Sequence, residues 1–316
     1  DILERVAVAS SEAAGDSPTF PRLQKLLFSA TMTWNPMKLA SLRLRRPIYY
    51  FSSQTGKYAT PKELRQHRMV CRDNGKPLAL LYVLSEMLSG ALETDVQEGA
   101  GRAIVFCSSV DTAHRLARLL QTFTLIPDLL ASEATPGSEV MNISRIPEGF
   151  RSPAVVAEFS SNLSQDERSK LLKQFRKGVV KCLVCSDVVA RGIDIPDVQA
   201  VFNYTVPSNI QTYIHRCGRA ARAGRIGHAF TFVRKEERRR FDETLKKSAD
   251  CWERIQPYRM PETFRMTHPW YPRALRLLAW VIDAEEQGRI RHSGALTVET
   301  FAGQFALERP AKVGKE

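Results

Sequence analysis

Cysteine is scarce in this chain. Its six residues, Cys71, Cys107, Cys182, Cys185, Cys217 and Cys251, are scattered over 316 positions, too few and too far apart for a disulfide scaffold. Long apolar runs are missing as well. The densest, Ala274 to Ile282, is about half of the roughly 18 residues that a membrane-spanning helix needs, so no membrane partner is expected. The first residues, Asp-Ile-Leu-Glu-Arg, lack the basic-then-apolar order of a signal peptide, and secretion is not expected. They also lack a Met, which leaves the native start open. Acidic charge is in deficit, with 34 Asp and Glu against 46 Lys and Arg, a net charge of +12. Such an excess favours a polyanionic partner, nucleic acid first; a generally basic surface is the plainer alternative. Hydrophobic residues at 43% and charged residues at 25% exclude a mostly disordered chain.

Cys182 and Cys185 form one Cys-x-x-Cys, but within Val-Val-Lys-Cys-Leu-Val-Cys-Ser, which reads as a buried strand. Residues three apart on a strand face opposite sides, and no second Cys-x-x-Cys follows, so a metal or redox centre is not expected there.

The length suggests about two domains. Residues 1–20 are polar and rich in small side chains. Gln24 to Ser29 reads as a buried strand, followed by Ala30-Thr31 and a short helix near Pro36 to Leu42. Residues 46–75 carry Pro47, Gly56, Pro61 and Gly75 without sustained periodicity and read as a linker. A helix starts at Pro77, with Leu80, Leu81, Leu84 and Leu88 on one face. Then strands alternate with helices: Ala103 to Cys107, a helix capped by Ser109, Ala154 to Phe159, a helix opened by the capping box Ser164 to Glu167, Lys181 to Cys185, Val198 to Asn203, a helix opened by a second capping box, Ser208 to Gln211, and His228 to Val233. A Pro-, Gly- and Ser-containing stretch at about 126–153 reads as an insertion. This alternation implies an α/β fold with a parallel sheet covered by helices on both faces over residues 76–250. Ligands of such sheets bind at the carboxyl ends of the strands, here the loops after Cys107, Cys185 and Asn203. Residues 251–316 form a C-terminal extension with an amphipathic helix at 273–287. Its Trp252, Trp270 and Trp280 read as packing residues rather than base-stacking platforms.

Two clusters carry chemistry. In Tyr213-Ile-His-Arg216-Cys-Gly-Arg219-Ala-Ala-Arg222-Ala-Gly224-Arg225, four arginines recur every three residues, which on a helix or tight turn puts them on roughly one face. Guanidinium forks fit phosphate oxygens, and Gly218 and Gly224 would let the backbone turn closely around the anion. Salt bridges or a solvated basic face are the alternative. The second cluster, Ser186-Asp-Val-Val-Ala-Arg-Gly-Ile-Asp194-Ile-Pro196, directly follows a buried strand. Ser186 and the Gly192 backbone can donate to phosphates. Asp194 can accept from a ribose hydroxyl or cap the segment after it.

Read together, these segments resemble motifs V and VI of the DEAD-box RNA helicases. Weaker matches occur in the family's order: Ser29-Ala30-Thr31 resembles motif III, Ile104-Val-Phe-Cys-Ser-Ser109 motif IV, Gln165-Asp-Glu-Arg168 the QxxR element, and Phe175-Arg-Lys-Gly178 the segment after it. The resemblance spans residues 24–233. It implies a RecA-like (P-loop NTPase-type) second domain at 76–250, preceded by the end of the first RecA-like domain at 1–45 and the linker at 46–75. It implies that Arg219 and Arg222 are arginine fingers reaching the γ-phosphate of ATP, with His215 and Arg216 knitting the two domains across the nucleotide. Asp194 and Gly192 would hold ATP. Ser109, Gln165, Arg168, Ser186 and Arg191 would lie along the RNA backbone, and Ser29 and Thr31 would couple hydrolysis to strand separation. No resident metal site is implied within this chain.

The sequence departs from the family pattern in places. Cys217 stands where an aliphatic residue is common, Ala220-Ala221 where Thr-Gly is commonest, and Ser186 where Thr is commoner. No G-x-x-x-x-G-K-[ST] loop and no Asp-Glu-Ala-Asp occurs in the chain. The family has both before motif III, so the resemblance implies that ATP and Mg²⁺ are bound mainly by an N-terminal RecA-like domain of the same protein, and that this chain alone is inactive. Two alternatives stand beside the ATP-dependent RNA helicase: a non-catalytic RNA-binding or assembly module derived from one, and a DNA-directed relative. Retention of Arg219, Arg222 and Asp194 weighs against the module. Ser29-Ala-Thr-Met32 with the long insertion at about 126–153, and the Ala-Arg-Ala-Gly ending of motif VI, look most like nucleolar members acting in large-subunit ribosome biogenesis, which implies a nuclear or nucleolar location, with the cytoplasm as the alternative, and pre-ribosomal proteins as partners.

Overall fold

The computed structural model describes residue 48 and residues 59–72, 75–92, 101–133, 155–187, 198–222, 224–261 and 271–301. The chain groups into two units, residues 1–57 and 58–316, and every described residue except Ile48 belongs to the second. The expected strand at Gln24–Ser29, the helix near Pro36 and the site residues Ser29, Thr31, Arg191, Gly192 and Asp194 lie outside the described residues, as does Trp270.

The elements, in chain order, are β1 (Leu64–Val70), α1 (Lys76–Leu88), β2 (Ala103–Cys107), α2 (Val110–Glu133), β3 (Val156–Phe159), α3 (Gln165–Arg176), β4 (Cys182–Ser186), β5 (Ala200–Asn203), α4 (Ile210–Cys217), β6 (Gly227–Val233), α5 (Arg238–Leu245), α6 (Ala249–Arg254), β7 (Ile255–Pro257) and α7 (Tyr271–Glu286), followed by a 3₁₀ turn at Val298–Phe301. The seven strands form one sheet in the order β3-β4-β2-β5-β6-β1-β7, and every pairing in it is parallel.

The composition of the central strands explains their place. Ala-Ile-Val-Phe-Cys of β2 and Cys-Leu-Val-Cys-Ser of β4 are buried at all five positions, as strands covered on both faces must be. They pair in register from Ala103 beside Cys182 to Cys107 beside Ser186. Alternation sends Cys182 and Val184 into one apolar cluster, with α1, α2 and Ala274 of α7. Leu183 and Cys185 enter the other, with Phe175 of α3, Tyr213 of α4, Phe241 of α5 and Cys251 of α6. The two cysteines of the Cys-x-x-Cys therefore lie on opposite faces of the sheet, and burial pushes the Cys185 thiol up to about 12. Connections running toward the β3 edge carry α1 and α2 on one face. Those running toward the β7 edge carry α3, α4, α5 and α6 on the other, as a uniform crossover hand requires.

Local signals act as the sequence suggests at several points. Pro77 lies in the first turn of α1, where its missing N–H costs nothing. Ser164 and Glu167 close a reciprocal capping box on α3, and Ser109 Oγ accepts the Thr112 N–H at 3.1 Å ahead of α2. The second expected box shifts by one residue: Asn209, not Ser208, caps α4, accepting the Thr212 N–H at 2.8 Å.

Three expectations are corrected. Residues 64–70, read as linker, form β1 and pair along their whole length with β6; Leu-Arg-Gln-His-Arg-Met-Val is too polar to announce a strand that only the β6 and β7 neighbours complete. Residues 255–257, read as extension, add the seventh strand beside β1. Arg254 fastens that edge, donating to the carbonyls of Pro61, Lys62 and Leu64. The insertion read from 126 begins inside α2, which continues to Glu133. Beyond the sheet, α7 packs on α2, and Leu125, Val281, Leu296 and Phe301 form a small apolar cluster. Trp280 packs against Phe301, whereas Trp252 is exposed and lies under Lys246. No described helix is long and apolar enough to cross a membrane.

Candidate functional site

Helix α4 links the two sequence clusters. Its buried face is Ile210, Tyr213 and Cys217, and the fully buried Tyr213 hydroxyl donates to Gln66 Oε1 of β1 at 2.7 Å. That bond fixes the helix to the sheet. Burial also pushes the Cys217 thiol up to about 12, so this motif cysteine is a packing group rather than a nucleophile.

Arg216 comes from the last turn of α4 and is 3% exposed. Its Nε and one terminal nitrogen donate to the two oxygens of Asp187 at 2.6 and 2.7 Å. The other terminal nitrogen donates to Asn203 Oδ1 at 3.2 Å and to the Thr205 carbonyl at 2.8 Å. The guanidinium also lies 5.4 Å from the centre of the Phe106 ring. These contacts join α4 to the carboxyl ends of β4 and β5. A buried guanidinium needs a carboxylate and carbonyl acceptors, and Asp187 supplies the charge. Asp187, Asn203 and Thr205 were not singled out from sequence. The available signal was an acidic residue one step beyond a buried strand, next to a chain with four closely spaced arginines.

The arginines do not form one helical face. The helix ends at Cys217, before Arg219, and the chain bends back. The Val198 N–H donates to the Arg219 carbonyl at 3.2 Å, and Val198 bridges Ala220. Arg222 Nε donates to the Gly218 carbonyl at 2.8 Å. Of the two glycines read as turning residues, Gly224 does take left-handed backbone, with φ of +75°, but Gly218, at φ −67°, does not. The left-handed turn falls on Ala221, φ +57°. A Cβ on Gly227 would stand 2.4 Å from the Ala221 nitrogen, so glycine is required where β6 begins. His215 is exposed on the outer side of α4.

The remaining described site residues share the carboxyl edge of the sheet. Ser109 is exposed after β2, and Gln165 and Arg168 stand in the first turn of α3 after β3. Ser186 ends β4. Arg168 holds its own loop, donating to the Leu163 carbonyl at 3.1 Å and the Ser161 carbonyl at 3.2 Å. Ser186 Oγ is buried and has no hydrogen-bond partner among the described residues. Arg219 and Arg222 stand elsewhere. Because α4 runs antiparallel to the strands, its C-terminus lies toward the amino end of β5, as the Val198–Ala220 bridge records. The expectation that all the chemistry sits at the carboxyl edge therefore fails for the arginines: one short helix carries the chain from one end of the sheet to the other.

Comparisons with known proteins agree with this architecture. A family model described as helicase conserved C-terminal domain matches residues 83–224. The chain is 34% identical, over 84% of its length, to a rice protein named DEAD-box ATP-dependent RNA helicase 1, of which it covers 44%. It is 36% identical, over 75% of its length, to the human ATP-dependent RNA helicase DDX51, of which it covers 32%. The chain thus spans less than half the length of these relatives. Among solved structures, Mss116p bound to single-stranded RNA and AMP-PNP superposes with a TM-score of 0.59 at 22% identity, covering 92% of this chain and 52% of that one, a likeness of fold. The seven-stranded parallel sheet with helices on both faces is RecA-like, and the chain belongs to the DEAD-box helicases, carrying the family's C-terminal RecA-like domain.

Proposed function

We propose that this chain is the RNA- and phosphate-engaging half of an ATP-dependent RNA helicase. The observation that carries the reading is the span of α4. Its N-terminal end stands at the sheet edge with Ser109, Arg168 and Ser186, and its C-terminal end delivers Arg219 and Arg222. RNA would lie along the carboxyl edge, touched at Ser109, Gln165, Arg168, Ser186 and Arg191 through sugar and phosphate, which positions a strand without reading its sequence. ATP would meet Arg219 and Arg222 at the other end, with Asp194 and Gly192 toward its ribose and phosphates. Phosphoryl transfer needs positioning and charge stabilisation, and an arginine finger contributes about 10³–10⁵ in rate. Arg216 does not touch the nucleotide in this reading. It transmits, because its pairing with Asp187 makes movement of the arginine end felt at the β4 loop.

Among the described residues, the cluster of three side chains able to hold a cation is His114, Glu285 and His292, richer in imidazole than the all-oxygen shell that magnesium takes. Mg²⁺ and the phosphate-binding lysine are assigned to the N-terminal RecA-like domain, which Ser29 and Thr31 would couple to this one. When bound, the ion would neutralise the phosphate charge. A nuclear or nucleolar location and work on pre-ribosomal RNA and its proteins belong to the same proposal, supported by the net charge of +12 and the motif resemblance.

The test is RNA-stimulated ATP hydrolysis by this chain with and without the N-terminal lobe from the same gene, supplied separately and as a covalent fusion. Turnover only when the lobe is present is the expected result. RNA binding with no turnover in any combination, the fusion included, would favour a non-catalytic assembly module.

A further inference from the structure

The C-terminal extension is fastened to the domain by a group of side chains that the proposed reaction does not use. His114, in α2, is 5% exposed. Its Nδ1 lies 2.6 Å from Glu158 Oε2 of β3, and its Nε2 lies 2.6 Å from Glu285 Oε2 of α7. His292, past the end of α7, brings its Nδ1 to 3.3 Å from the same Glu285 oxygen. The two imidazole rings meet edge to face with centroids 4.0 Å apart. Arg118, one turn beyond His114, stands 2.5 Å from the other Glu285 oxygen and donates to the carbonyls of Arg291 and Gly294.

We propose that His114 Nε2, a Glu285 oxygen and His292 Nδ1 form a binding site for one divalent transition cation of the zinc class. The three ligand atoms lie within 4.8 Å of one another, the one such group among the described residues. Zinc holds imidazole nitrogen and carboxylate oxygen at about 2.0–2.2 Å, so the edges of its tetrahedron are about 3.3 Å. The His292–Glu285 separation already has that length. The His114–Glu285 edge, 2.6 Å, opens by about 0.7 Å when a cation replaces the proton between them.

The surroundings meet the other requirements. A metal-bound imidazole donates its remaining N–H to a carboxylate, which fixes the tautomer and raises its basicity; Glu158 is that carboxylate for His114. Arg118 occupies the second oxygen of Glu285, leaving one oxygen for the cation. Two imidazoles and one carboxylate favour zinc over calcium or magnesium, which take oxygen shells. The His292 side chain is 61% exposed, so a water can complete the fourth position. Binding releases the His114 Nε2 proton, and the cation then joins α2 to α7 and the segment after it. The rival occupant is that proton alone, with His114 as an imidazolium between two glutamates, an arrangement in which His292 contributes nothing to affinity for any metal.

The test uses the full chain after dialysis against chelator, titrated with Co²⁺ by visible absorption and with Zn²⁺ by competition against an indicator, with thermal melts of each form. One equivalent should bind with a tetrahedral Co²⁺ spectrum lacking thiolate charge-transfer absorption, which separates this site from the six cysteines. Zn²⁺ should raise the melting temperature. His292→Ala, a change at an exposed side chain, should weaken binding about tenfold or more and abolish most of the Zn²⁺-induced rise in melting temperature, and Glu158→Gln should weaken binding about 10–100-fold. No binding, thiolate absorption, or a His292→Ala chain that binds Zn²⁺ as tightly as the native one would overturn the assignment.

Discussion

The guanidinium of Arg216 grips both carboxylate oxygens of Asp187 from inside the domain, at 2.6 and 2.7 Å. Asp187→Ala leaves the buried guanidinium uncompensated, at a cost of about 3 kcal/mol, whereas Arg216→Ala leaves a carboxylate that is 26% exposed and can be hydrated. Both should lower the urea midpoint, Asp187→Ala the more, and the double variant should cost less than their sum. Arg216→Lys should not rescue, because an ammonium cannot make the two-pronged contact. Additive losses in the double-mutant cycle would show that the pair does not act as a unit.

Ala221 holds left-handed backbone, φ +57°, in a position where the family commonly has glycine. The strain of a side chain there is about 1–2 kcal/mol, offset by about 0.5–1 kcal/mol of extra chain entropy lost with glycine. Ala221→Gly should therefore raise the melting temperature slightly. Gly227→Ala should lower it clearly, because its Cβ meets the Ala221 main chain. Calorimetry of the two variants checks both signs.

Two histidines give opposite pH dependences. Burial by itself lowers the pKa of His114, but hydrogen bonds and charge from Glu158 and Glu285 outweigh it and hold the group at about 9, above its model-peptide value of 6.5. Its contribution to metal-free stability is fully present below pH 6.5 and is lost as pH rises through 9. His114→Gln should be least stable, relative to native, at pH 6, with the gap closing toward pH 9.5 in chelator. His67 is the reverse case. Burial first, then the charges of His228 and Arg65, lower it to about 4. It stays neutral while stacked on Phe230, so stability present above pH 6.5 is lost as pH falls through 4. His67→Phe should flatten the acid side of the stability profile.

Under the proposed function, Arg219→Ala in the complete enzyme should reduce ATP turnover about 10³–10⁵-fold with little loss of RNA affinity. A comparable loss of both would make Arg219 an RNA contact. RNA binding by the chain should weaken steeply with salt, since displaced counterions dominate contacts to a phosphate backbone; a flat salt titration would remove the carboxyl-edge path for RNA.

How much of this was legible depended on the length scale of the signal. Ile104-Val-Phe and Leu183-Val-Cys185 are apolar at every step and could be read as central strands without a partner in view. Ser164 with Glu167, and Pro77 ahead of a leucine face, act over one helical turn and were readable for the same reason. The segment Leu64 to Val70 was not, because its strand identity is conferred by the β6 register and by Arg254, 190 residues from Leu64. Spacing showed four clustered arginines but not that the helix stops between Arg216 and Arg219.

The sequence by itself determined the alternation of strands and helices from β2 to β6, the parallel sheet covered on both faces, and the family of its two arginine- and glycine-rich segments, because these rest on side-chain type at neighbouring positions. Tertiary structure decided which arginine is buried and which is delivered past the helix end, where the sheet begins and ends, and that His114, Glu158, Glu285 and His292 meet at all. Those outcomes depend on which distant charges and backbone groups are brought within hydrogen-bond reach, and burial then makes pairing obligatory.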